Sequence, residues 1–208
     1  MKNNKPNLKS AYALETVEDN LELYANWASD YENDFASSMD YILPNQVAQI
    51  FFKMGGKGPV LDVGAGTGLG GVALANLGIS PIDAMDLSDA MLNEASKKKV
   101  YRHFFTADIT QPIRTKNSYQ GIISSGTFTH GHVGPSAIDN LLSIAKKGTF
   151  FTLSINKNHW LEKGFAQKFD SLTGEIDKLS LHDVDIYGKC SKGDHSNDLG
   201  IVTTFWKK

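Results

Sequence analysis

Short apolar runs alternate with amphipathic segments along most of the chain. The apolar runs are bounded by turn residues, as buried strands are, and the amphipathic segments repeat apolar side chains every three or four positions, as helices do. This pattern predicts strands at residues 59–63, 80–85, 101–106, 119–125, 149–155, 184–187 and 201–206. It predicts helices at residues 17–28, 44–53, 67–77, 89–98 and 135–147, and a long one at 158–179 with a break near Gly174.

Strands that alternate with helices and close in a pair of strands predict an α/β fold with a mostly parallel sheet. In such sheets ligands bind outside the carboxyl ends of the strands, near the point where the strand order reverses. The loops that follow the predicted strands therefore hold the candidate binding residues.

The stretch from Pro59 to Gly68 organises the rest of the chain. Its apolar run ends in glycines at every second position, namely Gly64, Gly66 and Gly68. Glycine suits a backbone that takes positive φ or lets a ligand approach without a Cβ in the way. The helix that follows leaves its first N–H groups unpaired, so the turn predicts a floor for a nucleotide-like ligand.

Two classes of nucleotide-binding protein use such a turn. A dinucleotide-binding fold has the pattern G-x-G-x-x-G directly after the strand, and in that register Leu69 occupies the third glycine position. A shifted register from Gly66 to Gly71 matches, but it leaves Gly64 and Ala65 between the strand and the motif. A nicotinamide-dependent oxidoreductase therefore remains an alternative.

The stretch from Leu61 to Gly68 resembles motif I of class I S-adenosylmethionine-dependent methyltransferases, D-x-G-x-G-x-G. The resemblance runs from about Tyr24 to Trp206. It implies a Rossmann-like α/β fold, with a seven-stranded, mostly parallel sheet flanked by helices and an antiparallel last strand. It also implies S-adenosylmethionine as the cofactor and S-adenosylhomocysteine as the product. Residues 23–35, 126–133 and 151–156 further resemble the Williams–Beuren syndrome chromosome-region methyltransferase-like subgroup.

Acidic residues after the second and third strands extend the predicted cofactor site. Asp86 follows Gly64 by 22 positions, where a carboxylate can accept hydrogen bonds from ribose hydroxyls of either cofactor. An aspartate after a strand is often a turn residue, but Asp108 and Ile109 match the family pattern for the adenine amine and ring. The predicted cofactor site comprises Asp62, Gly64, Ala65, Gly66, Thr67, Gly68, Asp86, Leu87, Met91, Ala107, Asp108, Ile109, Ser124 and Ser125.

Aromatic residues ahead of motif I predict a lid. Tyr24, Trp27 and Tyr31 fall at i, i+3 and i+7 of the first helix and its end. Such a stripe either packs on the core or covers the cofactor and the acceptor, and the two interpretations are compatible.

The loop after the fourth strand is predicted to face the sulfonium end of the pocket. It supplies Thr127 and Phe128 to the acceptor side, and His130 and His132 as candidate catalytic bases, since histidine accepts a proton near neutral pH. Structural hydrogen bonding in the loop is the alternative for each histidine. The H-x-H pair gives only two metal ligands and has no clear third, so no metal is predicted.

The acceptor is predicted by elimination to be a small molecule, methylated by in-line displacement. No Asn-Pro-Pro-Tyr motif follows the fourth strand, which argues against methylation of amino groups on nucleic-acid bases. The single cysteine, Cys190, lies far along the chain from that strand, which argues against cysteine-dependent methylation of pyrimidine C5. The formal net charge of −2 lacks the basic excess of nucleic-acid binders. A binding module that keeps the cofactor site without turnover is a third hypothesis. The oligomeric state is not predicted.

Length and composition predict one domain. The 208 residues are 41% hydrophobic, with no run near the ~18 apolar residues of a membrane span. Residues 1–15 are predicted to be a flexible lead-in, and 16–208 a single methyltransferase domain divided into a helical lid (16–56) and a Rossmann-like core (57–208). The polar N-terminus and the lone cysteine favour the cytoplasm.

Overall fold

A seven-stranded sheet with helices on both faces forms the protein in the computed structural model, which describes residues 17–129, 133–193 and 195–208. The strands are β1 (Val60–Val63), β2 (Ile82–Asp86), β3 (Tyr101–Thr106), β4 (Gly121–Phe128), β5 (Phe150–Asn156), β6 (Ile176–Asp185) and β7 (Leu199–Lys207). The helices are α1 (Val17–Trp27), α2 (Leu43–Lys53), α3 (Leu69–Asn76), α4 (Asp89–Ser96), α5 (Ala137–Ile144), α6 (Lys157–Lys163) and α7 (Phe165–Ser171). A π-helical segment, Glu32–Ser37, lies between α1 and α2.

The strand order is β3-β2-β1-β4-β5-β7-β6. The first five strands pair in parallel, and β7 runs antiparallel to both β5 and β6. The order reverses between β1 and β4, so the loops after these two strands diverge and leave a crevice. The predicted fold, with its antiparallel last strand, is confirmed.

Each face of the sheet packs against its own set of helices because successive strand residues point to opposite faces. Val60 and Ile123 belong to the hydrophobic cluster under α2 and α3. Leu61 and Ile122, their neighbours in sequence, belong to the cluster under α5, α6 and α7. The two fully buried faces make the sheet a rigid support for the loops at its carboxyl edge.

Helix α2 is part of the core and not of a lid. Val47, Ala48 and Phe51 are fully buried, and the Phe51 ring stacks on that of Phe150 with centroids 5.4 Å apart. The predicted division of the domain at residue 56 therefore does not match the packing. Pro44 lies in the first turn of α2, as predicted.

The prediction of one long helix at residues 158–179 is wrong. Gly164 adopts a left-handed conformation with φ of +77°, which ends α6 and separates it from α7. The chain then turns, and Ile176–Asp185 pairs with β7 as the edge strand β6. The spacing of Leu172, Ile176 and Leu179 fits a helix, but the hydrogen bonds offered by β7 decide the outcome.

The N-terminal boundary of α6 also differs from the prediction. The Asn156 side-chain oxygen accepts hydrogen bonds from the N–H groups of Asn158 and His159, so Asn156 and not Asn158 is the cap. None of the helices in the described ranges has the length and apolar character that crossing a membrane requires. The predicted lead-in, 1–15, lies outside the described residues.

Candidate functional site

The turn after β1 is held by backbone hydrogen bonds and positive φ angles. The N–H groups of Gly64 and Ala65 both donate to the Met85 carbonyl oxygen, at 2.7 and 3.0 Å, which ties the turn to β2. Gly64 and Gly66 have φ angles of +66° and +55°. A Cβ on Gly66 would meet no atom within 4 Å, so this glycine faces open space. Bare backbone thus forms the floor that the sequence predicts.

A cleft opens above this floor at the carboxyl ends of β1, β2 and β4. It contains about 1090 Å³ of empty space, part of it open to solvent. This exceeds the ~300–1,000 Å³ typical of small-molecule sites, as expected for space that includes the opening. The predicted site residues that line it are Asp62, Gly64, Ala65, Gly66, Thr67, Asp86, Leu87, Met91, Ala107, Asp108, Ile109, Ser125, Thr127, Tyr24 and Tyr31.

Two residues predicted for the cofactor do not line the cleft. Gly68 forms the N-cap of α3 with φ of +95°, and a Cβ there would lie 3.0 Å from the Tyr101 ring. Ser124 is fully buried, and its hydroxyl donates to the Val63 carbonyl oxygen at 2.9 Å. Both residues support the floor from behind it.

Two residues predicted for the acceptor side do not line the cleft. Phe128 is fully buried and contacts the Phe165 ring edge-on, with centroids 6.0 Å apart. Thr127 lines the cleft, whereas the Phe128 side chain belongs to the hydrophobic core, so Phe128 does not face the acceptor side of the cleft. Trp27 is 2% exposed in an aromatic cluster and lines a second cavity that adjoins the cleft, so it packs in the core, and its place beside the acceptor remains a prediction.

Asp86 bridges the first and second turns. Its Oδ2 accepts from the Gly66 N–H at 2.8 Å, and its Oδ1 accepts from the Ser88 N–H at 2.9 Å. Burial raises the pKa of Asp86, while the backbone N–H groups of Ser88, Gly66 and Leu87 lower it. Each carboxylate oxygen has a second lone pair, so Asp86 can also accept hydrogen bonds from a ligand.

Asp62 has a partner that the sequence analysis missed. The carboxylate is 1% exposed, and the Tyr101 hydroxyl donates to its Oδ2 at 2.7 Å. The Gly71 N–H donates to the same hydroxyl oxygen at 3.1 Å. Burial raises the pKa of Asp62 to about 7, although the hydrogen bond from Tyr101 lowers it. The result is a charged or neutral carboxyl group at the cleft floor, depending on pH near neutrality.

The glycine pair in α3 is the sequence signal for this contact. A Cβ on Gly70 would lie 3.0 Å from Asp62 Oδ2, and a Cβ on Gly71 would lie 2.3 Å from the Tyr101 ring. Any larger residue would push α3 away from these two side chains. The pair therefore marks a close approach of the helix to the polar groups below it.

Asp108 forms the turn that its position after a strand suggests. Its Oδ1 accepts from the N–H and the hydroxyl of Thr110, at 2.8 and 2.7 Å. Asp108 also lines the cleft beside Ile109, which is 7% exposed. The second carboxylate oxygen is available to a ligand amine, so the two roles weighed for this residue are compatible.

Aromatic side chains from separate segments form one wall of the cleft and a second, adjoining cavity. Tyr24, Tyr31 and Tyr41 line both spaces. Tyr187 and Asn156 line only the second cavity. Tyr41 and Tyr187 were missed because they lie in segments without a local motif, and Asn156 ends a stretch that resembles a known subgroup but was given no role of its own. Only the fold brings the three together.

The predicted catalytic histidines, His130 and His132, lie outside the described residues and remain predictions. Val133, which follows them, is held in place because its carbonyl oxygen accepts from His159 Nε2 at 2.9 Å. His159 is 1% exposed at the start of α6. No group of three His, Cys, Asp or Glu side chains that could hold a metal occurs in the described part of the chain.

The comparisons with known proteins agree with this geometry. Residues 60–148 match a family model described as a methyltransferase domain. This stretch contains the glycine turn, Asp86 and Asp108. The human Methyltransferase-like protein 27 (Homo sapiens) is 26% identical over 179 residues, which cover 83% of this chain and 70% of that protein.

Solved methyltransferases share the fold. A TehB-like SAM-dependent methyltransferase from Corynebacterium glutamicum superposes with a TM-score of 0.62 at 18% identity, over 89% of this chain and 98% of that chain. DhpI, in a structure described as its complex with SAH, gives a TM-score of 0.64 at 19% identity, over 91% of this chain and 96% of that chain. The matched domain, the human relative and the shared fold together indicate a class I S-adenosylmethionine-dependent methyltransferase.

Proposed function

We propose that the protein binds S-adenosylmethionine in the cleft and transfers its methyl group to a small-molecule acceptor by in-line displacement. One observation carries the cofactor assignment. The cleft is lined by three carboxyl groups, those of Asp62, Asp86 and Asp108, and its described lining contains no lysine or arginine. Such a lining favours a ligand with positive charges and hydroxyl donors.

The same lining disfavours the nicotinamide alternative. A dinucleotide would place its pyrophosphate over the glycine turn, next to the Asp62 and Asp86 carboxyl groups. Negative groups so close repel each other in a partly desolvated site. S-adenosylmethionine has a sulfonium and an ammonium group and no phosphate, so its charges complement this cleft.

The residues present fit the cofactor in detail. Gly66 leaves open space where a Cβ would otherwise lie. The Thr67 hydroxyl is buried and has no hydrogen-bond partner among the described residues, although Thr67 lines the cleft. We assign Asp86 to the ribose, and Asp108 with Ile109 to the adenine. DhpI, which shares the fold, is described in complex with SAH.

When bound, the cofactor supplies a methyl group already activated by positive charge on sulfur. The protein must then align the acceptor with it and exclude water from the space between them. The aromatic wall of Tyr24, Tyr31 and Tyr41 joins the cleft to the second cavity and suits both tasks. If the acceptor arrives protonated, His130 and His132 are our candidate bases.

The chemistry of the acceptor site favours a small molecule over a nucleic acid. The formal net charge is −2, and no basic residue lines the second cavity in the described part of the chain. The single cysteine, Cys190, is exposed and free. We propose a cytoplasmic setting on this ground, since a reducing compartment keeps such a thiol reduced.

Thermal unfolding tests the cofactor assignment. S-adenosylhomocysteine at about 100 times its Kd should add about 2.7 kcal/mol to the free energy of unfolding, and NADH should add nothing. Stabilisation by NADH alone would overturn the proposal. S-adenosylhomocysteine release that depends on an added acceptor then separates an enzyme from a binding module. Stabilisation without any such release across a metabolite panel would favour the module.

A further inference from the structure

The second cavity adjoins the cofactor cleft and has walls of a different kind. We call it the aromatic cavity; its rings are those of Tyr24, Trp27, Tyr31, Phe35, Tyr41 and Tyr187. It contains about 590 Å³ of empty space, part of it open to solvent. Because Tyr24, Tyr31 and Tyr41 also line the cleft, a molecule in the aromatic cavity lies next to a molecule in the cleft.

The walls are rigid and uncharged. Ring centroids are 5.2 Å apart for Trp27 and Tyr31, 5.0 Å for Tyr31 and Phe35, and 5.3 Å for Phe35 and Tyr41. Such contacts hold each ring in place, and together they present flat apolar surface. No Asp, Glu, Lys, Arg or His lines the aromatic cavity among the described residues. Burial raises the pKa of Tyr24 to about 12, so its hydroxyl is neutral at physiological pH.

Two residues that line this cavity have a buried donor without an acceptor among the described residues. Trp27 and Asn156 are 2% and 3% exposed. The indole Nε1 of Trp27 and the amide Nδ2 of Asn156 have no hydrogen-bond partner in the described part of the chain. Both atoms only donate. Native proteins seldom leave buried donors unpaired, so a ligand acceptor is the expected partner.

The orientation of the Asn156 amide follows from its role as a helix cap. Its Oδ1 accepts from the N–H groups of Asn158 and His159, at 2.9 and 3.4 Å. The flipped amide would direct two donors at two donors, which excludes it. Nδ2 is therefore the Asn156 atom that has no partner among the described residues.

We propose that the methyl acceptor is a flat aromatic molecule with an uncharged carbonyl-type oxygen, which accepts hydrogen bonds from Trp27 and Asn156. This inference rests on the proposed function and names the acceptor class for the same site. Aromatic rings alone would also attract a quaternary ammonium group. A cation, however, leaves both donors unpaired. A carboxylate pairs them but loses its hydration in an uncharged cavity. A neutral carbonyl meets both requirements.

Three probes separate these requirements: benzamide, cyclohexanecarboxamide and benzyltrimethylammonium. Each is titrated into ¹⁵N-labelled protein saturated with S-adenosylhomocysteine, and the indole N–H signals of Trp27, Trp160 and Trp206 are followed. The Trp27 signal is assigned from its loss in Trp27→Phe. We expect benzamide to move it downfield, saturably, and to leave the other two in place. The other two probes should bind about tenfold more weakly, because each lacks the ring or the acceptor.

One substitution should reverse the preference. Asn156→Asp keeps an oxygen that caps α6 and replaces the donor with a negatively charged acceptor. We expect benzamide to bind about tenfold more weakly and benzyltrimethylammonium about tenfold more tightly. Asn158→Asp makes the same change at an exposed position two residues along and should alter neither affinity. Trp27→Phe keeps a ring and removes the other donor, and should also weaken benzamide.

The outcomes distinguish this inference from the proposed function. If S-adenosylhomocysteine does not stabilise the wild-type protein, the proposed function fails. If it does, and benzamide at millimolar concentration leaves the Trp27 signal unmoved, the acceptor class is wrong. Tighter binding of benzyltrimethylammonium to the wild type would overturn it as well. Should Asn156→Asp not fold, as judged by its response to S-adenosylhomocysteine, Trp27→Phe and calorimetry of benzamide decide the matter.

Discussion

The cofactor cleft and the aromatic cavity share a wall, but they are formed by different kinds of groups. The cleft uses backbone turns after β1, β2 and β3 and carboxyl groups within a few residues of each turn. The aromatic cavity uses neutral side chains from α1, the π-helical segment, β5 and the loop after β6. Local chain geometry therefore places the carboxyl groups, whereas tertiary packing places the rings.

This difference predicts that side-chain substitutions affect the two sites unequally. A turn held by backbone hydrogen bonds is insensitive to most side-chain changes, so its ligand stays the same when neighbouring side chains are substituted. A cavity made of packed side chains can change its ligand through single substitutions. Four predictions test whether the two halves behave independently.

Trp27→Ala should have the largest effect on stability. A fully buried tryptophan replaced by alanine costs about 3–5 kcal/mol of unfolding free energy. Affinity for S-adenosylhomocysteine should stay constant, because Trp27 does not line the cleft. Leu21→Ala, at an exposed position in the same helix, is the matched control and should change stability by less than about 0.5 kcal/mol. A loss below about 1 kcal/mol for Trp27→Ala, measured in urea, would mean that α1 is a loosely attached lid.

Gly64→Ala should have the next largest effect on stability. The new Cβ would lie 1.9 Å from Thr127 Oγ1 on a backbone with φ of +66°. Backbone strain and overpacking together predict a loss of about 2–5 kcal/mol in stability. Gly66→Ala is the control, since its Cβ meets nothing within 4 Å. It should lose about 1–2 kcal/mol from backbone strain and should weaken S-adenosylhomocysteine binding. Equal losses of stability in the two variants would contradict the close approach at Gly64.

Asp86→Ala should weaken S-adenosylhomocysteine binding by about 1–3 kcal/mol in calorimetry, through loss of charge-assisted bonds to the ribose. Part of this loss reflects the Gly66 N–H, which would lose its acceptor. Asp86→Asn, which keeps one oxygen, should lose less than Asp86→Ala. Benzamide binding should not change in either variant. Unchanged cofactor affinity in a folded Asp86→Ala protein would remove Asp86 from the cofactor site.

Asp62 predicts a pH dependence of stability in the absence of ligand. Burial raises the pKa of Asp62 from 3.8 to about 7. Between pH 4 and 7 this carboxyl group is therefore protonated in the folded protein and ionised in the unfolded chain. Stability should therefore fall as pH rises from 4 to 7, by at most about 1.4 kcal/mol per pH unit from this group. Asp62→Asn should flatten the slope in urea titrations at several pH values. Parallel slopes for variant and wild type would show that Asp62 titrates normally.

Local sequence was enough to predict most of the residues that line the cleft. Gly64 and Gly66 could be placed because a strand that ends in alternating glycines has few other uses. Asp86 and Asp108 followed because parallel strands end at one edge of a sheet, so residues just after them lie near each other. Strands β1, β2, β4 and β5 were predictable because mostly apolar runs fit strands that are buried on both faces. Strand β3 was also predicted, although most of its residues are partly or fully exposed.

The errors share one physical cause, which is that partners distant in sequence decided the outcome. Ile176 and its neighbours have helix-like spacing, but β7 offers an edge to pair with. Phe128 was assigned to the acceptor side, but it is buried against Phe165 of α7, which lies far along the chain. Tyr101 was not predicted as a partner of Asp62, because no spacing rule links residues on strands two places apart in the sheet.

The sequence by itself determined strands β1 to β5, the turn after β1 and the carboxyl groups that follow the strands, because these depend on patterns among residues close along the chain. Only the tertiary structure decided the aromatic cavity, where Trp27, Tyr41, Asn156 and Tyr187 meet. These residues come together because hydrophobic burial acts on total apolar area and is indifferent to sequence separation.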